Sequence, residues 1–216
     1  MYEISRLTKP QLVRCGNDWV VDVPAGRTAE AIEFSRRNDS RGFKLNAFTG
    51  ATQQTIDAVL STEHPSVLVV AGNLAVSKLG APLKKLVLGI GTAWPDSLPQ
   101  SEVEIFSCMK SQSADLLPQK IKELSMHGFA AKDFSSFRRF QQLTTVRLTE
   151  ARNLESLDGL PPKLAHLDLV KCRKLRDINA LRHSHVQHFS AERCPLLTKR
   201  AIEEAQNWLL HRSNSV

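Results

Sequence analysis

Two stretches decide the fold: residues 143–157, LTTVRLTEARNLESL, and residues 164–178, LAHLDLVKCRKLRDI. Both can be written on one template, LxxLxLxxCxxLxxL, with conservative replacements. Leu143, Val146, Leu148, Ala151, Leu154 and Leu157 fill it in the first stretch, and Leu164, Leu167, Leu169, Cys172, Leu175 and Ile178 fill it in the second. Sliding onward gives Val186, Phe189, Ala191, Cys194 and Leu197. Sliding backward gives Ile121, Leu124, Met126 and Phe129, then Val103, Phe106, Cys108 and Ser111. Further back the apolar pair continues as Leu86 and Leu88, Leu68 and Val70, Leu45 and Ala47, and Val21 and Val23.

Apolar residues two apart place one face of a short strand in a core, and the residue three further on stands where the chain turns away from the sheet. That turn position holds Gly26, Gly50, Asn73, Gly91, Ser111, Phe129, Ala151, Cys172 and Cys194, small residues apart from Phe129. One such rung cannot bury its apolar side, but stacked rungs share a continuous interior, so the regular spacing of about 20 residues is itself a folding argument. The expected fold class is α/β: about nine short parallel strands forming a curved sheet, with helical or extended return segments. Thr28 to Arg37 and Thr52 to Ser61 carry apolar residues at helical spacing, so the first returns are expected to be helices. Thr198 can cap a final helix from about Lys199 to His211, whose Ile202, Ala205, Trp208 and Leu209 form one stripe against the last rung. The organisation read from this pattern is one structural domain: an N-terminal cap over 1–18, repeats over 19–197 and a C-terminal capping helix over 198–216.

On these residues the chain resembles the leucine-rich repeat family, most clearly from Ile121 onward. Leu98-Pro99, Leu117-Pro118 and Leu160-Pro161 each stand just upstream of the next rung, similar to the LPxxL junctions of bacterial-type repeats. The resemblance implies a bacterial solenoid that binds proteins. It departs from the family in that few rungs carry the usual asparagine, Asn73 being the best.

Composition fits this reading: 216 residues, 42% hydrophobic and 24% charged, are ordinary for a soluble globular protein and exclude disorder, collagen and coiled coil. The longest nearly uncharged apolar run, Ser66 to Val76, is well short of the roughly 18 residues of a membrane span, and Glu3, Arg6 and Lys9 interrupt any leader-like start. A cytoplasmic protein with no membrane partner is expected. Acidic and basic residues balance through residue 108, so the whole formal charge of +7 belongs to residues 109–216. Such asymmetry can steer an acidic protein or a nucleic acid, and does not choose between them.

With this register, side chains between the buried leucines line the hollow of the curved sheet. They are Glu123, Ser125 and His127; Thr145, Arg147, Thr149 and Glu150; His166, Asp168 and Lys171; and His188, Ser190, Glu192 and Arg193. Corresponding positions in the middle rungs are Val67, Val69, Val87, Ile105 and Met109, an aliphatic strip that gains from exposure only if a partner covers it. A covering loop of the chain itself, or a slip of one residue, would remove that strip. His166 and His188 occupy equivalent positions with Asp168 and Glu192 nearby, but His183, His185 and His188 lack the helical spacing of a zinc protease, so no metal or cofactor is expected. Cys172 and Cys194 are read as buried thiols at a crowded turn. No phosphate loop, dinucleotide fingerprint or nucleophile elbow is present. The expectation is a non-enzymatic protein-binding scaffold, in its specific form a toxin-neutralising immunity protein that occludes a partner with an acidic or mixed surface. A secreted effector binding a host protein and a nucleic-acid-binding protein are the alternatives, the latter short of stacking aromatics.

Overall fold

In the computed structural model, residues 8–76, 79 and 82–213 are described. They form two compact units, residues 1–103 and 104–216. The first unit opens with an antiparallel hairpin of β1 (Gln11–Cys15) and β2 (Asp18–Asp22). It continues through α1 (Thr28–Arg37), β3 (Gly42–Asn46), α2 (Gln53–Thr62), β4 (Val67–Ala71) and β5 (Lys85–Leu88). Strands β2 to β5 are parallel, each beside the next in chain order. Their register stacks Val21, Phe43, Leu68 and Leu86 in one buried column. Parallel neighbours need a crossover between them; α1 supplies it from β2 to β3 and α2 from β3 to β4. Ala31, Ile32 and Ser35 of α1 and Thr55, Ile56 and Val59 of α2 face the core. Helix α2 starts at a capping box in which Thr52 and Thr55 satisfy each other's backbone N–H groups.

Gly42 fixes how closely β3 and β4 approach, because a Cβ added there would stand 1.9 Å from the Val67 carbonyl oxygen. This rung departs from the expected register. Phe43 and Leu45 are the buried pair, in place of Leu45 and Ala47. The side chain of Asn46 accepts a hydrogen bond from Phe48 N at 2.9 Å and bends the chain into a short 3-10 turn at Ala47–Thr49, which ends the strand before Ala47. The shift is two residues, so the same face stays inward. Strand β1, inside the expected cap, carries no repeat signal; it pairs with the free edge of β2.

The second unit contains β6 (Ile105–Cys108), β7 (Glu123–His127), β8 (Thr145–Thr149), β9 (His166–Val170) and β10 (His188–Glu192), parallel and again in chain order, then α3 (Lys199–Ser213). Two buried columns run across it: Phe106, Leu124, Val146, Leu167 and Phe189, and beside them Cys108, Met126, Leu148 and Leu169. Return segments here are built from turns, with 3-10 turns at Ala114–Leu116, Ser135–Phe137 and Asn179–His183. Two returns pair with each other through a parallel bridge of Ser156 and Asp177.

Phe129, the large residue at a turn of otherwise small ones, packs 5.0 Å from Phe137 and 6.1 Å from Phe134, and Phe140 lies 6.0 Å from Phe137. Four phenylalanines fill the return between β7 and β8, so the turn gains ring contacts where its neighbours gain close packing. Thr198 Oγ1 accepts from Ala201 N at 3.1 Å at the start of α3. Ala205 and Leu209 of that helix are buried, and Trp208 lies under the Arg182 guanidinium, 4.1 Å from the ring centroid. No helix among the described residues is long and apolar enough to cross a membrane.

Candidate functional site

The sheet of the second unit buries one face and leaves the other open. Because strand side chains alternate, the parallel register sorts the open face into rows. One row carries Ile105, Glu123, Thr145, His166 and His188; the next carries Ser107, Ser125, Arg147, Asp168 and Ser190; a third carries His127, Thr149, Val170 and Glu192. All of these are half-buried or exposed. A shallow groove of about 210 Å³ runs over β6 to β9, lined by Ile105, Ser107, Glu123, Ser125, Arg147 and Asp168 among others.

Asp168 organises the middle row. Ser190 Oγ donates to its Oδ1 at 2.7 Å, the Arg147 guanidinium donates to Oδ2 at 3.0 Å, and His188 Nε2 lies 3.6 Å away. Burial is the largest single influence on this carboxyl and pushes its pKa up. The Ser190 and Arg147 hydrogen bonds, with the charges of Arg147 and His188, outweigh it and hold the group below its ordinary value. Asp168 is therefore ionised at neutral pH and cannot serve as a proton donor there. His166 and His188 stand ring to ring, with centroids 5.9 Å apart.

Where the strands end, Glu150 gathers Lys171, Arg152 and His127. Lys171 Nζ donates to Oε1 at 3.0 Å, Arg152 donates to Oε2 at 3.1 Å and His127 Nε2 lies 3.5 Å from Oε2. The Lys171 hydrogen bond, then that of Arg152, pulls the Glu150 pKa down to about 2. Glu150, Lys171 and Arg193 occupy the equivalent position just past β8, β9 and β10, each in the left-handed backbone region at φ 55, 57 and 54°. Gly128 takes this place after β7. A non-glycine residue there costs about 1 kcal/mol or more, so three successive charged side chains stand at positions where glycine would be the strain-free choice.

The residues expected from the sequence divide between the units. His127, Arg147, Thr149, Glu150, His166, Asp168, Lys171, His188, Glu192 and Arg193 share the open face or its edge in the second unit, where Ile105 is half-buried and Met109 exposed. Val69 and Val87 are half-buried neighbours on the open face of the first unit. Val67 departs from the expected exposure: only 4% of it is accessible. Lys85, one strand away, extends its ammonium to Cys15 O at 2.6 Å and Asp18 Oδ2 at 2.9 Å, so the turn of the β1–β2 hairpin lies over this end of the sheet. The chain covers that valine itself. Sequence reasoning missed Lys85, whose role depends on a contact spanning 67 residues of chain. It also missed Ser107 and Val170, although both follow from the alternation once the register is set, and Arg152, which reaches Glu150 from two residues on.

Among the described residues no group of three or more His, Cys, Asp or Glu could hold a metal ion. The chain matches no family model, no curated protein and no solved structure.

Proposed function

We propose that this chain is a non-enzymatic, protein-binding scaffold of the leucine-rich-repeat kind, whose stacked parallel strands offer the open face of the second unit to a protein partner. The observation that carries the reading is the ordered charge on that face. Arg147, Asp168 and Ser190 are tied to one another across three rigid strands, as are Glu150 and Lys171 at its edge. Side chains already held in place lose little conformational freedom on binding, so such a face docks a partner at low ordering cost. The half-buried Ile105 and Val170 and the exposed Met109 supply apolar contacts among the charges.

A photo-crosslinking amino acid placed at Ser125 or Thr145 on the open face, or at Gln142 or Lys163 in the return segments, tests this in cells of the source organism. A discrete protein captured from the face positions, absent from the return positions and lost with Arg147→Glu, supports the reading. Equal capture from both sets refutes it. In its most specific form the proposal is an immunity protein that covers a toxin's active surface, supported by the resemblance to bacterial-type repeats. Co-expression with a toxin encoded beside its gene should restore growth with the wild-type chain and fail with Arg147→Glu; no rescue by the wild-type chain refutes that form alone.

A further inference from the structure

At the edge of the open face, four cations of the second unit line a pocket beside a pair of thiols. Cys172 and Cys194 follow β9 and β10 at the same turn position, on strands whose register pairs Leu169 with Ala191 and Val170 with Glu192. Neighbouring strands lie about 4.8 Å apart, which brings equivalent cysteines within disulfide-forming range. Both are free; Cys172 Sγ donates to Val170 O at 3.8 Å and Cys194 Sγ to Glu192 O at 3.4 Å. They differ in access. Cys172 has no accessible surface; Cys194 is also buried, at 6% exposure, but that remainder lines a pocket of about 640 Å³ together with Lys171, Arg173, Arg193 and Lys199.

Four cations around one thiol pocket are more than neighbouring carboxylates neutralise. Lys171 is paired with Glu150 and Lys199 lies 3.6 Å from Glu203. Arg173 and Arg193 have no carboxylate partner among the described residues. The first turn of the 15-residue helix α3, represented in the pocket by Lys199 and Ile202, adds its positive end. The two thiols are also unequal in acidity. The neighbouring Cys172 is the largest influence on Cys194 and lowers its pKa against the opposing effect of burial, while Cys194, followed by burial, raises that of Cys172. The sulfur that borders the pocket is the better nucleophile, and the fully enclosed one lies on the neighbouring rung.

We infer that Cys194 is a thiol–disulfide exchange site for a small anionic disulfide of the glutathione disulfide class, with Cys172 as the resolving thiol. In such a ligand carboxylates outnumber amines, which suits a pocket rimmed by the Arg173 and Arg193 guanidinium groups. The Cys194 thiolate attacks one ligand sulfur and the ligand S–S bond breaks. One glutathione thiolate leaves and takes a proton from solvent, and a mixed disulfide remains on Cys194. Cys172 gives up its proton to solvent and attacks the Cys194 sulfur, expelling the second glutathione. In sum, two protein thiols are oxidised to a Cys172–Cys194 disulfide and one glutathione disulfide is reduced to two glutathiones. The chemistry does not depend on partner binding, although Lys171 and Arg193 border both the pocket and the open face.

The test uses the full chain carrying Cys15→Ser, which removes the other accessible thiol, treated with glutathione disulfide at neutral pH. Intact mass and peptide mapping should show loss of two hydrogens and a Cys172–Cys194 cross-link. Cys172→Ser should instead retain one glutathionyl group on Cys194, and Cys194→Ser should stay unmodified. Charge reversal by Arg173→Glu with Arg193→Glu should slow the reaction about tenfold with glutathione disulfide and leave the rate with the neutral bis(2-hydroxyethyl) disulfide unchanged. A folded chain whose Cys194 stays reduced overturns the site. Equal slowing with both disulfides overturns the anionic ligand, and a mixed disulfide persisting when Cys172 is present overturns the resolving role. Mapping on the Cys15→Ser chain decides the first point even if a cysteine variant fails to fold.

Discussion

Arg147 and Leu148 are adjacent in sequence and belong to opposite faces of β8, so truncating each in turn tests the register on which the open face depends. Leu148 has no accessible surface and sits in a closed column between Met126 and Leu169. Neighbours held by sheet hydrogen bonds cannot collapse into the space left behind, which places Leu148→Ala in the upper half of the usual range, about 3–4 kcal/mol. Arg147 has 62% of its side chain exposed and loses one ion pair to Asp168 and one rim of the groove. An exposed pair of this kind is worth at most about 1 kcal/mol. With a urea slope of about 2 kcal/mol per M, the two midpoints should fall by about 1.5–2 M and by less than about 0.5 M. Trp208, packed beneath Arg182, reports unfolding of the second unit by fluorescence when Trp19→Phe and Trp94→Phe silence the first. Equal shifts, or a larger one for Arg147→Ala, would mean that the open and buried faces have been exchanged.

Three further outcomes follow from particular contacts. Glu150 should titrate near 2 by carboxyl NMR in the wild type and move up toward the ordinary carboxylate range in Lys171→Met, since the Lys171 hydrogen bond is the largest cause of its depression. The sign follows from linkage: the folded pKa lies below the unfolded one, so the stabilisation is complete above the ordinary value of 4.5 and disappears as pH falls toward about 2. Wild type and Glu150→Gln should therefore converge in stability at the acid end, and a constant difference down to that pH contradicts the pairing. Gly42→Ala should destabilise the first unit by about 3 kcal/mol, because the new methyl group meets a β4 carbonyl and no flexible side chain can yield; a neutral effect in thermal unfolding would mean β3 and β4 lie further apart. Cys108, whose pKa burial pushes up to about 12, should resist iodoacetamide at pH 8 in the folded chain and react on denaturation, whereas Cys15 reacts in both states; fast labelling of folded Cys108 would place it outside the core.

Much of the second unit is legible because one physical rule repeats there. Each rung needs two apolar residues two apart and a compact turn, and that demand recurs from Phe106 to Phe189. The parallel strands and the final helix follow from it directly. The first unit is harder to read because its strands end for local reasons. Asn46 stops β3 with its own side chain, so the apolar pair lies at Phe43 and Leu45, and Ala47, which fits the pattern, is outside the strand. The β1–β2 hairpin obeys no repeat, and its turn is tied to the sheet by Lys85, the neighbour of Val67, a residue that reads as an ordinary strand lysine until the sheet is assembled.

The open face was legible in composition but not in arrangement. Alternation alone selects Arg147, Asp168 and Ser190, but their partnership follows only from the parallel register, which places them one beside another. The column of Glu150, Lys171 and Arg193 goes further. These residues read as loop charges, and nothing in the sequence marks a left-handed backbone there except Gly128 at the same place one rung earlier. Once the turns are aligned, the departure from glycine becomes the informative signal. Three charged side chains are held at a conformational cost just where each strand leaves the sheet, two of them line the thiol pocket and the third ties it to the open face through the Glu150–Lys171 pair. Replacing all three by glycine should relieve that strain and raise the unfolding midpoint, while slowing exchange at Cys194 with anionic disulfides. A gain in stability with unchanged exchange would leave the strain without a chemical purpose.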